Sequence, residues 1–177
     1  MGYAIELYFD HTAERMLNAI WQRLVKNHIA GMEFYLNNRP HLSLAVYHGS
    51  LERDKFLKKF REYRMKGIRL TLANPGFFCT EENIVFVSPR TTGGLIDIHR
   101  KFHEDFGEFR EDESKLYLPE NWIPHVTMAV GLKKSKFIKA LKFLKKEFKP
   151  LDAEIESAGL IKFKPIEYLL IKELSKG

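Results

Sequence analysis

The sequence predicts an α+β protein of two similar lobes, related by a pseudo-twofold axis, that enclose a central cleft. Three observations predict it: a short strand motif occurs twice, strands alternate with amphipathic helices, and the same order of elements occurs twice. Each lobe is expected to hold a mainly antiparallel sheet with helices on its outer face. One domain over 1–177 is expected, with lobes at approximately 1–79 and 80–163 and a terminal strand over 166–174 that completes a sheet.

The elements of the first lobe are predicted from alternating apolar residues in strands and from apolar spacings of three and four in helices. Thr12 is expected to cap the first helix, and Asn74-Pro75-Gly76 is expected to form a turn. The expected order is a strand over 3–9, a helix after Thr12, a loop over 30–39, a strand from His41, a helix after Ser50 and a strand over 68–73.

The second lobe is predicted to repeat this order. Thr91, Thr92 and the two glycines after them are expected to lead into its first helix. The expected order is a strand over 83–87, that helix, a polar loop over 107–123, a strand from His125, a lysine-rich helix over 133–149 and a strand over 152–163. Pro165 is expected to separate this last strand from the terminal one.

The repeated motif runs from Pro40 to Val46 and again from Pro124 to Val130. Pro, His, a hydroxyl residue, Ala and Val recur in register, with large apolar residues between them. A strand places every second side chain on one face. One face of the two strands would carry His41, Ser43 and Ala45 in the first copy, and His125, Thr127 and Ala129 in the second. The opposite face, with Leu42, Leu44 and Val46 in the first copy, would be buried.

Composition indicates an ordinary globular protein, with 45% hydrophobic and 29% charged residues. The net charge of +6 is concentrated in residues 133–149, which contain eight lysines and one acid. This helix is interpreted as a solvated outer face, with a nucleic-acid contact as the alternative. The single cysteine, Cys79, excludes an internal disulfide. No apolar run is long enough to cross a bilayer, and the N-terminus lacks signal-peptide features, so we expect a cytoplasmic protein without membrane contact.

Two histidines that face each other suit a reaction in which one proton is removed and another is delivered. The hydroxyls of Ser43 and Thr127 can donate hydrogen bonds to an anion between them. Together the four groups describe a phosphoryl centre that undergoes in-line displacement. A serine nucleophile would leave the duplication unexplained. A single motif of this kind could equally be explained by core packing. Two copies in a repeated order of elements favour catalysis or phosphate binding.

Other residues give weaker signals. Arg39, just before the first motif, could bind a phosphate or be an ordinary surface arginine. His99 and His103 are four residues apart on a predicted helix and could clasp a metal, but no third ligand is evident. Four aromatic residues near the predicted cleft could stack on a nucleobase or pack in the core: Phe34, Tyr35, Phe77 and Phe78.

The segments His41-Leu42-Ser43-Leu44 and His125-Val126-Thr127-Met128 resemble the paired H-x-[ST]-hydrophobic signatures of the two-histidine (2H) phosphoesterase superfamily. This superfamily includes RNA 2',3'-cyclic phosphodiesterases, also called 2'-5' RNA ligases. The resemblance spans nearly the whole chain and includes the Gly76-Phe77 turn and the terminal hairpin from Ile155 to Ile171. The paired signature is specific for the superfamily but not for one substrate.

The resemblance implies a bilobal fold with a central cleft, no metal and no other cofactor. It implies that His41 and His125 act as general acid and base, in unassigned order, while Ser43 and Thr127 hold the phosphoryl oxygens. Arg39, Tyr35 and Phe77 are the further candidates for substrate binding. The expected activity opens a 2',3'-cyclic phosphate, at an RNA end or on a nucleotide, to a 2'-phosphate, with ligation as the possible reverse. The alternatives are a 2',5'-phosphodiesterase, a 3'-end trimming enzyme and a non-catalytic module that binds RNA termini.

Overall fold

The computed structural model describes residues 2–78 and 80–175. Within these residues, seven strands form one antiparallel sheet. The strands are β1 (Gly2–Phe9), β2 (His41–His48), β3 (Ile68–Phe78), β4 (Ile84–Pro89), β5 (Val126–Ala129), β6 (Leu151–Phe163) and β7 (Glu167–Glu173). The helices are α1 (His11–Lys26), α2 (Arg53–Glu62), α3 (Gly93–Asp105) and α4 (Lys134–Glu147), and short 3-10 turns cover Gly107–Asp112 and Lys115–Tyr117. The predicted α+β class is confirmed.

The long strand β6 connects the two parts of the sheet. The strand order is β2-β1-β6-β3-β4-β5, and β7 also pairs with β6. The first residues of β6, 151–155, pair with β3, while its later part pairs with β1 on one side and β7 on the other. Although β2 and β5 stand at opposite ends of this order, they contact each other. The sheet therefore curls so that its two motif strands meet.

Helices from each half of the sequence contact strands or helices of the other half. The first helix, α1, packs on β1 and β6 but also contacts α4 and β5. On α3, His103 reaches the Leu44 carbonyl of β2, and Phe106 at its C-terminus packs against Phe56 of α2 at 5.0 Å between ring centroids. Because the apolar faces of α1–α4 all cover the sheet, one continuous core supports both motif strands.

Two predicted details differ in the structure. The N-cap of α1 is Asp10 and not Thr12: Asp10 Oδ1 accepts the backbone N–H groups of Thr12 and Ala13, each at 3.0 Å. A carboxylate at this position also complements the positive end of the helix. Cys79, which also marks the predicted end of the first lobe, lies outside the described residues.

The second difference is that the predicted turn at residues 74–76 lies inside β3. The ladder with β6 ends at Leu72, so β3 has a free edge at Pro75, where a residue without an N–H is tolerated. A register shift between Leu72 and Asn74 absorbs the irregular residues as a bulge on the β4 side. Turn-forming residues therefore bend a strand here without ending it.

No helix among the described residues is long and apolar enough to cross a membrane.

Candidate active site

Both motif strands contain a β-bulge at the same position of the motif. In β2, Ser43 and Ala45 pair with consecutive residues of β1, which leaves Leu44 as the extra residue. In β5, Thr127 and Ala129 likewise pair with consecutive residues of β4. The two halves of the site therefore share a backbone distortion as well as a residue motif.

This bulge corrects the faces predicted for the first motif strand. Strict alternation placed Ala45 with His41 and Val46 with Leu44, but Ala45 is fully buried and Val46 is partly exposed. The alternation ends at Leu44 because one extra residue in a strand reverses the side-chain pattern beyond it. His41 and Ser43 lie before the bulge and keep the predicted alternation.

The chain has two tryptophans, and they support equivalent points of the site. Trp122 donates its indole N–H to the carbonyl of Ser43 at 3.0 Å, and Trp21 donates its indole N–H to the carbonyl of Thr127 at 3.1 Å. Trp21 belongs to the first half of the sequence and Trp122 to the second. Each motif is thus held by a tryptophan from the opposite half, and each carbonyl keeps a partner in the interior.

The carbonyls of the two bulge residues also have side-chain partners. His103 Nε2 lies 3.3 Å from the carbonyl of Leu44, and the Tyr35 hydroxyl donates to the carbonyl of Met128 at 2.8 Å. Burial raises the pKa of Tyr35, which keeps its phenol protonated as a donor. Tyr35, a candidate for substrate binding, is in this structure a support for the backbone of the second motif.

The two motif imidazoles are oriented by the same local hydrogen bond. His41 Nδ1 lies 2.6 Å from the carbonyl of Arg39, and His125 Nδ1 lies 2.7 Å from the carbonyl of Ile123. A carbonyl can only accept, so each Nδ1 carries the proton and donates it. Each Nε2 is therefore directed away from the backbone and is the atom available for proton transfer.

The surroundings of His125 are aromatic. The ring of Phe78 meets the imidazole edge-on at 4.8 Å between centroids, and Phe86 lies at 5.3 Å. Loss of solvent in this setting lowers the pKa of His125 below the usual value, the hydrogen bond to Ile123 opposes the shift, and the charge on His41 adds to it. His125 is therefore suited to be neutral in the resting site, with a free lone pair on Nε2.

The surroundings of His41 are polar. Its Nε2 lies 3.3 Å from Oε1 of Glu6, a residue that is only 3% exposed. The other oxygen of that carboxylate accepts a hydrogen bond of 2.7 Å from the Tyr8 hydroxyl. Burial, followed by the Glu6 charge, raises the pKa of Tyr8, so this phenol is a permanent donor. Glu6 is thus a buried carboxylate whose two oxygens face a phenol and an imidazole.

The two hydroxyl residues are partly buried, as expected for groups that line a cleft. The loop between α3 and β5 runs along β2, where the N–H of Ser114 donates to the carbonyl of Val46 at 2.8 Å. Its 3-10 turn at Lys115–Tyr117 contacts β2, and burial raises the pKa of Tyr117. This loop therefore packs beside the first motif strand.

Two other candidates already have protein partners. The Arg39 guanidinium forms two hydrogen bonds with the carboxylate of Glu14, at 3.0 and 2.6 Å, and lies over the Tyr8 ring at 4.3 Å. Phe77 packs edge-on against Phe137 of α4 at 5.5 Å and is half exposed. Its neighbour Phe78 is the aromatic residue of this pair that contacts a motif histidine.

The histidine pair of α3 lies behind the first motif. The Nε2 atoms of His99 and His103 are 2.9 Å apart, and His99 stacks on Trp122 at 3.8 Å. Burial lowers the pKa of His99 to about 3, and His103 adds to this shift, so His99 is neutral. His103 Nδ1 faces the buried carboxylate of Glu113 at 3.0 Å. Among the described residues, no three His, Cys, Asp or Glu side chains converge as a set that could hold a metal.

Sequence reasoning missed Glu6 and the two tryptophans as parts of this site. One signal for Glu6 was available, because it is the only charged residue in β1, a strand whose eight residues are all buried. A carboxylate in such a strand needs a partner, since an unpaired buried charge is costly. Its partner could not be named, because His41 becomes its neighbour only through the pairing of β1 with β2.

The fold is shared with several solved structures. LigT of E. coli complexed with 3'-AMP matches over 98% of each chain with a TM-score of 0.63 and 16% identity. TT0787 of Thermus thermophilus matches over 99% of each chain with a TM-score of 0.65 and 17% identity. A protein described as a phosphoesterase matches over 98% of each chain with a TM-score of 0.64 and 17% identity. At these identities the likeness shows the fold.

This fold and the paired histidine motifs define the class as 2H phosphoesterase. The sequence model of the 2'-5' RNA ligase superfamily matches residues 10–165, which is most of the chain. The chain therefore belongs to the 2'-5' RNA ligase superfamily, as the resemblance indicated. A search of curated proteins gave no significant match.

Proposed function

We propose that this chain is a metal-independent phosphodiesterase that opens 2',3'-cyclic phosphates, at RNA ends or on nucleotides, to 2'-phosphates. The observation that carries the proposal is that His41 and His125 each donate Nδ1–H to the carbonyl two residues earlier. This leaves two Nε2 atoms for proton transfer, one on β2 and one just before β5, and these two strands contact each other. A module that only binds an RNA terminus would have no need for two titrating groups oriented alike.

In the proposed reaction, water attacks phosphorus in line with the 3'-oxygen, which leaves. One imidazole removes a proton from the water, and the other delivers a proton to the 3'-oxygen as the P–O3' bond breaks. The P–O2' bond is not broken, so phosphorus stays on the 2'-oxygen and the product is a 2'-phosphate. Ser43 and Thr127 are proposed to donate hydrogen bonds to the two oxygens of phosphorus that are not in the ring.

The substrate class is supported by a relative with the same fold. LigT of E. coli is seen in complexes with two nucleotides, 3'-AMP and ATP, and with phosphate. Within the same chemistry, a 2',5'-linked phosphodiester or a 3'-terminal nucleotide of RNA would present phosphorus to the same two histidines. Ligation would be the reverse of the cleavage of a 2',5' linkage.

The proposal is tested by the hydrolysis of a dinucleotide with a terminal 2',3'-cyclic phosphate, compared with that of a 2',5'-linked dinucleotide. We expect faster turnover of the cyclic phosphate, with the 2'-phosphate as product, and no loss of rate with a chelator. The double variant His41→Ala/His125→Ala should lose activity by at least roughly a few hundredfold. His48→Ala, at the exposed end of the same strand, is the matched control and should keep the wild-type rate. Undiminished turnover in the double variant, or loss of turnover with chelator, would contradict the proposal.

A further inference from the structure

The pseudo-twofold relation of the site extends over three strands on each side. On one side Ser43 of β2 pairs with Glu6 of β1, and Glu6 pairs with Gly159 of β6. On the other side Thr127 of β5 pairs with Phe86 of β4, and Phe86 pairs with Gly76 of β3. Hydroxyl residues and glycines therefore occupy matching positions. The middle strands differ, because a carboxylate in one takes the place of a phenyl ring in the other.

Each glycine makes room for an aromatic ring of the adjacent middle strand: Tyr8, two residues after Glu6, on one side, and Phe86 itself on the other. A Cβ at Gly159 would lie 2.7 Å from the Tyr8 ring, and a Cβ at Gly76 would lie 2.7 Å from the Phe86 ring. Tyr8 is thereby held where its hydroxyl reaches Glu6, and Phe86 is held where its ring reaches His125. The difference between the two sides is built into the packing of the sheet.

A carboxylate buried to the extent of Glu6 is stable only with partners for its charge. The neutral Tyr8 hydroxyl satisfies one oxygen, and His41 Nε2 at 3.3 Å is the one cationic group in the salt-bridge geometry of Glu6 among the described residues. When His41 carries a proton on Nε2, the charge of the carboxylate at 3.3 Å balances that of the imidazolium, and the pair is neutral overall. At 3.3 Å this contact is long for a hydrogen bond, so the proton stays available to a substrate oxygen.

Within the part of the chain that the structure describes, His125 has no such carboxylate beside it. Its ring packs against Phe78 and Phe86, and a phenyl ring offers no acceptor that compares with a carboxylate for a proton on Nε2. A second positive charge would also face the first across the cleft. The neutral form of His125, with its lone pair on Nε2, is the form that this side accommodates.

We propose that Glu6 is a positioning residue that makes His41 the proton donor and leaves His125 as the base when the cyclic phosphate is opened. The inference rests on the proposed function. The attacking water gives its proton to His125 Nε2 as its oxygen bonds to phosphorus. The P–O3' bond breaks, and the departing O3' takes the proton from His41 Nε2. His125 then holds one proton more and His41 one fewer, and exchange with water after product release restores the resting state, with Glu6 drawing the proton back to His41.

The test is a comparison of two leaving groups in the wild type and in Glu6→Gln. The first substrate is the ordinary cyclic phosphate, and in the second, sulfur replaces the leaving 3'-oxygen. A thiolate leaves without needing a proton, so loss of the donor slows only the oxygen substrate. Glu6→Gln should lower kcat/KM by about tenfold to a hundredfold with oxygen, the loss typical of partners that orient an imidazole, and by less than about threefold with sulfur.

The matched control is Glu113→Gln, because Glu113 is also a buried carboxylate that faces a histidine outside the proposed reaction centre. Whatever stability it loses, Glu113→Gln should keep the wild-type ratio of the two rates. An equal loss on both substrates in Glu6→Gln would reduce Glu6 to a structural role and overturn the inference. The inference would also be overturned if the sulfur substrate restored the activity of His125→Ala but not that of His41→Ala.

A wild type that turns over neither substrate would contradict the proposed function and not the inference about Glu6. The inference is then decided by 15N NMR of the histidine rings in the free protein. The Nε2 signal of His41 should differ between the wild type and Glu6→Gln, and the His125 signals should be the same in both proteins. Identical His41 spectra in the two proteins would overturn the inference.

Discussion

The two halves of the site have nearly the same backbone and different chemistry. Both have a bulge after the hydroxyl residue, an indole on the carbonyl of that residue, and an imidazole that donates Nδ1–H to the carbonyl two residues earlier. They differ in what faces Nε2 or the ring: Glu6 beside His41, and Phe78 with Phe86 beside His125. A duplicated scaffold thus supplies the geometry for two imidazoles, and we propose that the difference at one position gives them opposite roles.

The largest expected effect is the loss of activity when either motif histidine is replaced, and the leaving group of the substrate should distinguish the two variants. With the oxygen substrate, His41→Ala and His125→Ala should each lower kcat/KM by at least roughly a few hundredfold, because each removes one proton-transfer group. With sulfur as the leaving atom, His41→Ala should recover to within about tenfold of wild type, whereas His125→Ala should stay impaired. Steady-state kinetics on the two substrates measure this difference. Equal recovery of the two variants would mean that the halves are chemically equivalent.

A smaller effect is expected when the glycines next to β1 and β4 are replaced, Gly159 on β6 and Gly76 on β3. Gly159→Ala would push the Tyr8 ring, and Gly76→Ala would push the Phe86 ring, so each should destabilise the fold by about 1–3 kcal/mol. Only Gly159→Ala, which disturbs the partner of Glu6, should lose less activity with sulfur than with oxygen. Chemical denaturation and the two-substrate assay measure both expectations.

Gly94→Ala is the control for this pair, because a Cβ at Gly94 has no neighbour within 4 Å and the residue lies in the first turn of α3. It should leave stability and the ratio of the two rates unchanged. If Gly159→Ala and Gly76→Ala show the same ratio, the two sides of the sheet do not act on different histidines.

The smallest expected effect is a shift in pH dependence. His125 must be neutral to act as base, and burial lowers its pKa, so kcat/KM should fall with acid only below the usual histidine value of about 6.5. Phe78→Ser admits water and should raise the pKa of His125, which moves the acid limb to higher pH. The pH profile of kcat/KM measures it.

Phe77→Ser is the matched control, because Phe77 is the adjacent residue and packs on α4 instead of His125. Its acid limb should coincide with that of wild type. An acid limb that moves equally in both variants would show that Phe78 does not set the environment of the base.

Much of the fold could be predicted because its signals are local. Alternation predicted β1, and spacings of three and four predicted α1. The threonine-glycine segment predicted the start of α3, where the structure shows Thr92 as the cap. The predicted turn at residues 74–76 was wrong because turn chemistry also suits a bulge at a free strand edge. The cap of α1 moved from Thr12 to Asp10 because either residue can accept the backbone N–H groups of a first helical turn, and only the path of the chain decides between them.

The site divides in the same way. His41, Ser43, His125 and Thr127 were predicted because the motif is repeated, and repetition is visible along the chain. Tyr35 and Arg39 were predicted as substrate contacts from their positions near the motif. The structure gives Tyr35 a backbone carbonyl of β5 and gives Arg39 the carboxylate of Glu14. These partners are distant in sequence, so no local sequence pattern predicts them.

The sequence by itself determined the duplication, the alternation of strands and helices, and the two His-hydroxyl motifs that place the chain in its superfamily. These features depend on residue order and on short-range periodicity, and both can be read directly from the sequence. Only the tertiary structure decided that a bulge interrupts each motif strand, that each motif is held by a tryptophan from the other half, and that Glu6 and Phe86 occupy matching positions. Such facts depend on the register between strands, and register is set by the packing of the whole sheet.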